Sequence, residues 1–518
     1  MKTQILFMKT QILLPFMLTP FCMYGSPHKN AQQRPNVIFI LMDDAGYGDF
    51  GCYGQKKTET PNIDALANRG IRFTQMYTSA PLSSPARCGL LTGRHSGHAD
   101  IRANDEMEWR GDVWNHYAML KDSTLEGQAP MHADTPTLGT MMKKAGYKTA
   151  MIGKWGVGNP TSESTPWNKG FDTYYGPICQ RQAHNYYPPF LWKNDRREYL
   201  KNKLVVPDTP LDEGADPMDP RSYDKYVGEQ YSPDLMYDNV ISFVRENKDN
   251  PFFLMWTTPL PHSPMMAPEK DVMYYVNKFG DEKPIEGKGY YPSRYPRATY
   301  AAMISYFDRQ VGGLVAELER LGLADNTLII FTSDNGPANN SCSSTEWFDS
   351  AQPFRCGKGW GKSSLREGGI RMPFIMAWGD KLRPRVCDHI GFFPDIMPTL
   401  CELVGERIPV TDGLSLKPII DDREKDLKDH EFLYWEFPGS NGWVAVRWGD
   451  WKGLLRKVKK GNNQMELFNL ADDPRETTDV AAQHPDIVNR MWNYVFASHN
   501  DSDNPKFQLD IKKPNMMK

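Results

Sequence analysis

Charge of a single sign is missing from this sequence. Its 518 residues carry 61 Lys and Arg against 64 Asp and Glu, a net charge of −3. No broad basic field is therefore available to hold nucleic acid or an anionic membrane surface, and an anionic ligand has to be held locally, by a few aimed cations. Long apolar runs are missing too: beyond the N-terminal segment no stretch approaches the roughly 20 apolar residues that cross a bilayer, so no membrane span is expected. Cysteine is sparse, eight in all and with no CxxC pair, which speaks against a zinc knuckle or a thioredoxin-type site. No Gly-x-Ser-x-Gly elbow occurs, which speaks against a general Ser-His-Asp hydrolase. The 41 glycines and 40 prolines make up about 16% of the chain, short of the roughly 25–30% that marks low complexity, and indicate many loops rather than disorder.

What is present begins with an address. Lys2 and Lys9 precede the apolar run Ile12 to Met23, broken by Pro15 and Pro20 and followed by Gly25 and Ser26. Residues 1–27 read as a secretory signal peptide, which predicts a periplasmic or secreted protein. MKTQIL occurs at both Met1 and Met8, so either methionine can be the start. Thr19-Pro20-Phe21 is a poor lipid-attachment context for Cys22, so a surface lipoprotein is the less favoured reading. Removal of Cys22 leaves seven cysteines, an odd number that requires at least one free thiol, and Cys342 and Cys356 are expected to be able to close a surface loop. The 14 Trp, 24 Tyr and 24 Phe suit ordinary core and also a sugar-stacking cleft.

At roughly 150 residues per domain the length allows two to four domains or one large α/β unit. Apolar β-branched runs alternate with helical patterns, the signature of a sheet with helices on both faces. Strands are expected at Val37 to Leu41, Thr149 to Ile152, Phe252 to Trp256, Leu328 to Phe331 and Pro373 to Trp378. Thr60-Pro61 and Thr135-Pro136 are expected to open helices closing near Gly70 and Gly146, and Tyr300 to Leu318 has helical spacing. After the charged run Asp421 to Glu431, short antiparallel strands are expected at Phe432 to Phe437, Trp443 to Trp448 and Lys452 to Leu455. The expected division is a catalytic domain over residues 28–424 and a C-terminal subdomain over 425–518.

Ligands of open α/β sheets bind at the carboxyl ends of strands, and here those ends carry chemistry. One strand runs into Asp43-Asp44 and another into Asp334-Asn335. Three carboxylates and an amide oxygen form a hard oxygen shell suited to Ca²⁺, with Mg²⁺ as the alternative. Other strand-end loops supply Lys154, His262 and Lys362, which together describe a pocket that neutralises an anion and protonates a leaving oxygen. Ser83-Ser84-Pro85-Ala86-Arg87, running to Leu91-Thr92-Gly93-Arg94, is a small-residue loop opening a helix. The helix amides favour an anion and Arg87 is available as a clamp.

These motifs resemble the formylglycine-dependent (type I) sulfatases of the alkaline-phosphatase superfamily, over nearly the whole mature chain. Ser83 to Arg94 matches the nucleophile motif. Asp43-Asp44-Ala45-Gly46-Tyr47-Gly48-Asp49 and Ser333-Asp334-Asn335-Gly336 look like the two metal motifs. Lys362 with Glu367-Gly368-Gly369-Ile370-Arg371 matches a further signature, and Leu467-Phe468-Asn469-Leu470, Asp473-Pro474 and Glu476 resemble the family's tail. The resemblance implies an α/β/α sandwich with a large mixed sheet, plus a smaller C-terminal α+β subdomain with a short antiparallel sheet. It also implies that Ser83 is converted to formylglycine by a serine-type sulfatase-maturating enzyme. The hydrated aldehyde would share Ca²⁺ with Asp43, Asp44, Asp334 and Asn335; one hydroxyl attacks sulfur and the other later expels sulfate. Arg87 would steady the formylglycine, Lys154 and Lys362 would neutralise the sulfate, and His262 would protonate the departing sugar oxygen.

One departure stands out. Gly153-Lys154-Trp155-Gly156 replaces the family's frequent Gly-Lys-Trp-His, so an active-site imidazole is absent at Gly156. His184 is the first choice to fill that space and His98 the second, the alternative for His184 being a ring stacked on Tyr186. The stretch Gln180 to Trp192 resembles a segment of sulfatases acting on galactose-type sugars, with Arg181, His184, His98 and Arg102 as substrate contacts. This analogy implies an exo-acting enzyme on a sulfated oligosaccharide, first on 6-O-sulfated galactose or N-acetylgalactosamine, then on 4-O- or 3-O-sulfated units. The rivals are a phosphatase or phosphodiesterase of the same superfamily, which would show Asp-His at Asp334-Asn335, and a non-catalytic glycan-binding protein. The Asp388-His389 pair lacks an apolar strand lead-in and reads as incidental.

Overall fold

In a computed structural model, residues 34–340 and 342–512 are described; the segment expected to be a signal peptide, with Cys22, lies outside them. Residues 36 to 42 are apolar after the first, so as a strand they leave no polar face, and such a strand must be covered on both sides. The structure does this. Val37, Phe39 and Leu41 enter one hydrophobic cluster and Ile38, Ile40 and Met42 the other. The same split divides Leu328 and Ile330 from Ile329 and Phe331. Both clusters are built from strands and flanking helices, which is the three-layer arrangement expected.

The large sheet has eleven strands: β1 (Asn36–Met42), β2 (Ile71–Tyr77), β3 (Lys148–Gly153), β4 (Thr173–Gly176), β5 (Phe190–Lys193), β6 (Arg196–Tyr199), β7 (Phe252–Thr257), β8 (Thr327–Ser333), β9 (Arg371–Ala377), β10 (Arg385–Cys387) and β11 (Gly391–Phe392). Their order is β10-β2-β9-β8-β1-β7-β3-β4-β5-β6, with β11 also on β2. The centre, β8-β1-β7-β3, is wholly parallel, whereas β9 runs antiparallel to β8 and to β2. The sheet is thus mixed. The helices in the first part of the chain include α1 (Pro61–Arg69), α2 (Ser83–Thr92), α3 (His116–Lys121), α4 (Leu138–Lys144) and α5 (Gln180–Ala183).

One expected helix start holds, with Thr60 at the N-cap position and Pro61 as the first residue of α1, and the other is corrected. The Thr60 side chain does not cap α1 but accepts from Gly51 N and donates to Asp64 Oδ1. The second helix starts after Thr137, not Thr135, because Thr137 and Thr140 form a reciprocal capping box. The expected Cys342–Cys356 bridge is also corrected. Every cysteine among the described residues is free of a disulfide; Cys342 is buried, and the Cys356 thiol donates to Thr345 O at 3.5 Å.

A second, four-stranded antiparallel sheet follows: β12 (Leu433–Phe437), β13 (Trp443–Trp448), β14 (Trp451–Arg456) and β15 (Glu466–Asn469). Leu433, Trp435, Phe437 and Leu454 share a cluster with residues of the main sheet. Polar anchors accompany them. Trp435 Nε1 donates to Thr78 O at 2.8 Å, and Lys452 Nζ lies 2.8 Å from Glu367 Oε1 and 3.0 Å from Glu476 Oε1, all three groups buried. Tyr77 OH donates to the other Glu367 oxygen at 2.6 Å, and Glu476 Oε2 accepts from Glu367 N at 2.8 Å. Lys452→Met leaves two buried carboxylates facing one another without their shared cation. Loss of one partner of such an ion cluster is expected to cost about 3–5 kcal/mol, measurable by urea unfolding.

Candidate active site

The four parallel central strands end together, and backbone hydrogen bonds carry the ladder past them. Asp334 N donates to Met42 O at 3.0 Å, Asp43 N to Leu260 O at 3.0 Å, and Lys154 N to Thr257 O at 2.8 Å. Because Met42 pairs with Ser333, Asp43-Asp44 must lie beside Asp334-Asn335. Asp44 takes a left-handed conformation, φ +66°, a rare one for a side-chain-bearing residue and typical of functional sites. Its N–H donates to Asp334 Oδ1 at 3.1 Å. The motif loops touch backbone to backbone: Gly336 N donates to Gly369 O at 3.0 Å, and a Cβ on Gly336 would sit 2.0 Å from Gly368 O.

Ser83 is the first residue of α2, every residue of which is buried. Its Oγ donates to Asp43 Oδ1 at 3.1 Å and lies 3.4 Å from Asn335 Oδ1. One turn later Arg87 donates Nε and one Nη to Asp334 Oδ2 at 3.1 and 3.0 Å, and its other Nη to Lys154 O at 2.7 Å. Arg87 is thus braced against Asp334 and the Lys154 backbone rather than held open as an anion clamp. Lys154 Nζ lies 2.5 Å from Asp43 Oδ2, and Lys362 Nζ 2.7 Å from Asp44. His262 Nδ1 faces Ser263 O at 2.6 Å; a carbonyl only accepts, so Nδ1 carries the hydrogen, and Nε2 faces Asp44 Oδ2 at 3.4 Å.

Burial alone would favour neutral carboxyls here, yet Asp43 is held well below the usual carboxylate range, because Lys154, His262, Arg87 and Lys362 outweigh it. Asp334 goes the other way: burial and then Asp43 push it up to about 6. Burial also works against the Lys362 ammonium, but Asp44 and Asp43 hold its pKa above the ordinary value. Burial lowers His262 to about 4. Three carboxylates thus meet three fixed cations, Arg87, Lys154 and Lys362. A divalent ion added to this set would leave a surplus of positive charge for an anionic ester.

The donors fit such an ion. The oxygens of Asp43, Asp44, Asp334 and Asn335 converge beside Ser83, and a carboxylate oxygen of Asp43, one of Asp44 and a ring nitrogen of His262 all lie within 4.8 Å of one another. This oxygen-rich set suits Ca²⁺ or Mg²⁺. At about 100 times its dissociation constant such an ion stabilises the fold by about 2.7 kcal/mol. Asp44→Asn and Asp334→Asn are expected to abolish most of that gain, read as the thermal midpoint with and without chelator.

The other sequence expectations fare differently. His184 stacks not on Tyr186 but on His262, with ring centroids 4.6 Å apart and planes 7° from parallel. Tyr186 instead donates its hydroxyl to Pro259 O and His262 O at 2.8 and 2.6 Å, fixing the histidine loop. Tyr290, which carries no sequence signal, closes the edge of both rings at 5.3 and 5.9 Å. Neither His184 nor His98 fills the space at Gly156. Gln180 does: its Cγ lies 3.3 Å from where a Cβ on Gly156 would stand, and its amide donates to Ser84 Oγ, which donates to Gly156 O at 2.6 Å. Arg181, Arg102 and His98 are engaged elsewhere. Arg181 pairs with Glu106 and donates to Leu125 O and Gly127 O, Arg102 pairs with Glu436 at 2.6 Å, and His98 with Asp412 at 2.8 Å. His389 of the incidental Asp388-His389 pair faces Asp429 at 3.4 Å. Gly156 has φ +78°. Gly156→His therefore meets both a strained backbone and Gln180, and is expected to lose about 1–3 kcal/mol. Adding Gln180→Ala should restore part of that loss, as measured in a double-mutant cycle.

A parallel-centred sheet with a buried carboxylate and cation cluster above its strand ends defines a hydrolase of the alkaline-phosphatase-like class. A model described as "Sulfatase" matches residues 35–406, and one for the C-terminal region of N-sulphoglucosamine sulphohydrolase matches residues 358–500. The chain belongs to the sulfatase family and is a sulfuric ester hydrolase. It is 27% identical over 523 residues to an N-acetylgalactosamine-6-O-sulfatase of Bacteroides thetaiotaomicron, covering 89% of this chain and 92% of that one. To N-acetylgalactosamine-6-sulfatase of Sus scrofa it is 30% identical over 526 residues, covering 94% and 90%. Among solved structures it resembles Ps i-CgsB bound to k-i-k-neocarrahexaose, with a TM-score of 0.69, 26% identity and 93% and 96% of the two chains covered. A phosphonate monoester hydrolase of Agrobacterium radiobacter shares the fold alone, at 20% identity, a TM-score of 0.60 and coverage of 90% and 95%. No helix among the described residues is long and apolar enough to cross a membrane.

Proposed function

We propose that this sulfatase removes a 6-O-sulfate from a galactose-type unit of a sulfated glycan, N-acetylgalactosamine first, as an exo-acting enzyme exported to the periplasm or beyond. The observation that carries the chemistry is Ser83 Oγ lying against Asp43 and Asn335 at the buried start of α2. The support for the sugar is the 6-sulfatase relatives, which align over most of both chains.

Formylglycine made from Ser83 by a serine-type maturating enzyme would supply the nucleophile, and Ca²⁺ or Mg²⁺ held by Asp43, Asp44, Asp334 and Asn335 would supply positive charge at the ester. The chain's own groups do the rest. Lys154 and Lys362 neutralise the negative charge on the sulfate oxygens, where preorganised cations are worth most. Arg87 fixes Asp334 and the Lys154 loop, so the donor set does not relax when the ester arrives. His262 is the proton donor to the departing sugar oxygen. Its Nδ1–H is anchored on Ser263 O, which leaves Nε2 aimed at the site, and a bound anion favours its charged form. His184 and Tyr290 close the ring edge of His262 and limit water around it.

The test is sulfate release from 6-, 4- and 3-sulfated galactose and N-acetylgalactosamine, alongside phosphate esters, with a mass spectrum of the peptide that contains Ser83. The expected result is fastest turnover on a 6-sulfated sugar and a loss of about two mass units at Ser83. Ser83→Ala should abolish release, and Lys362→Ala should lower kcat/KM by about 10²–10³. Preference for phosphate, or full activity with unmodified Ser83, would overturn the reading.

A further inference from the structure

The groups that meet the ester around Ser83 are sealed from water: Asp43, Asp44, Lys154, His262, Asp334 and Asn335 are each at most 4% exposed. Three side chains beside them, His184, Tyr290 and Lys362, are partly exposed. A sugar whose sulfate reaches Ser83 therefore has these three as its neighbours at the surface. Lys362 is paired with Asp44, and His184 lies flat against His262. Tyr290 has no role assigned by sequence, and its hydroxyl makes no hydrogen bond among the described residues.

The ring of Tyr290 stands across the stacked histidines, with planes 60° from His184 and 65° from His262. Burial pushes its phenol up to about 12, while Lys362 pulls it down and Asp44 raises it. The hydroxyl thus lies in the field of the site's own charges and keeps its hydrogen at neutral pH, able both to donate and to accept.

Tyr290 is also held where it stands. It lies in the turn between Ile285 and Ser293, whose backbones exchange hydrogen bonds at 2.9 and 3.1 Å. Asp208 grips that turn at two points: its Oδ1 accepts from Gly289 N at 2.8 Å, and its N donates to Tyr290 O at 3.1 Å. It does so from a left-handed conformation, φ +70°, which aspartate tolerates better than most side chains. The next residue, Tyr291, is buried and donates its hydroxyl to Val205 O at 2.6 Å. A phenol fixed in this way loses little further freedom when a ligand meets it.

The chemistry of the ester says what it would meet. The charge of the sulfate is matched deeper in the site, by Lys154 and Lys362. The sugar that carries the sulfate bears neutral hydroxyl and amide groups, and an unshared phenolic O–H is a partner for these.

We infer that Tyr290 is a specificity-determining residue: its hydroxyl bonds a hydroxyl or amide group of the sugar that bears the sulfate, and Asp208 is the positioning residue that holds it there. This rests on the glycan sulfatase reading above. Tyr290→Phe keeps the ring and removes the hydroxyl alone. Sulfate release by the full chain is compared on N-acetylgalactosamine 6-sulfate and on 4-nitrophenyl sulfate, which has no sugar. The ratio of the two kcat/KM values should fall about three- to tenfold in Tyr290→Phe, mainly through KM for the sugar. Asp208→Ala should lower the ratio in the same direction and add little on top of Tyr290→Phe, whereas Asp208→Asn, which keeps an acceptor oxygen, should restore most of it. An unchanged ratio in Tyr290→Phe, or an equal loss on both esters, overturns the contact; an unchanged ratio in Asp208→Ala overturns the positioning role. Calorimetric titration of Ser83→Ala protein with N-acetylgalactosamine 6-sulfate, with and without Tyr290→Phe, reads the contact in the absence of turnover. Weaker binding without the hydroxyl supports it even where the wild type releases no sulfate, a result that sinks the catalytic reading alone. The same affinity with and without the hydroxyl, or no binding by either protein, overturns it.

Discussion

Three carboxylates crowd together in the dry space above β1 and β8, and like charges so placed do not stay ionised unless cations meet them. The in-register pairing of Met42 with Ser333 forces that crowding, because it sets both acidic strand ends side by side. Every neighbouring element answers it. α2 contributes Arg87, the end of β3 contributes Lys154, the loop after β7 brings His262, and the loop around Gly361 brings Lys362. The cost of burying these charges is large, and it is offset only by close, well-aligned partners. Function follows from the same balance. Fixed cations that compensate fixed carboxylates are already oriented when an anionic ester enters, so little reorganisation remains for the reaction.

Much of this was legible in the sequence, for a physical reason. Strands covered on both faces must be apolar throughout, and the first polar residues after them, Asp43-Asp44, Lys154 and Asp334-Asn335, necessarily mark the sheet edge where loops gather. The short antiparallel strands after residue 431 alternate clearly enough to be seen, although the burial of Lys452 beneath them carries no local pattern. The edge strand β6 escaped notice, since Arg196–Tyr199 is polar and takes its conformation from pairing with β5.

The substitution at Gly156 shows where local reading stops. A missing imidazole invites a search for another histidine, and His184 does lie near the site, yet the space is occupied by an amide from Gln180. Nothing in the spacing of residues 156 and 180 reveals this, because the contact depends on how α5 docks against the start of α2. Likewise the arginines of the 181 and 102 positions look available in one dimension. In three dimensions they are internal ties, one to Glu106 and the other to Glu436 on the small sheet.

The burial of α2 sets an order of events in the life of the chain. Ser83 is 1% exposed and lies against Asp43 and Asn335, which come from segments 40 and 252 residues away in the sequence. A second protein cannot reach that hydroxyl once these segments have closed over it. The proposed conversion of Ser83 to formylglycine would therefore have to take place on an open peptide, during synthesis or export, and the finished fold would then lock in whichever side chain, serine or aldehyde, stood there at closure.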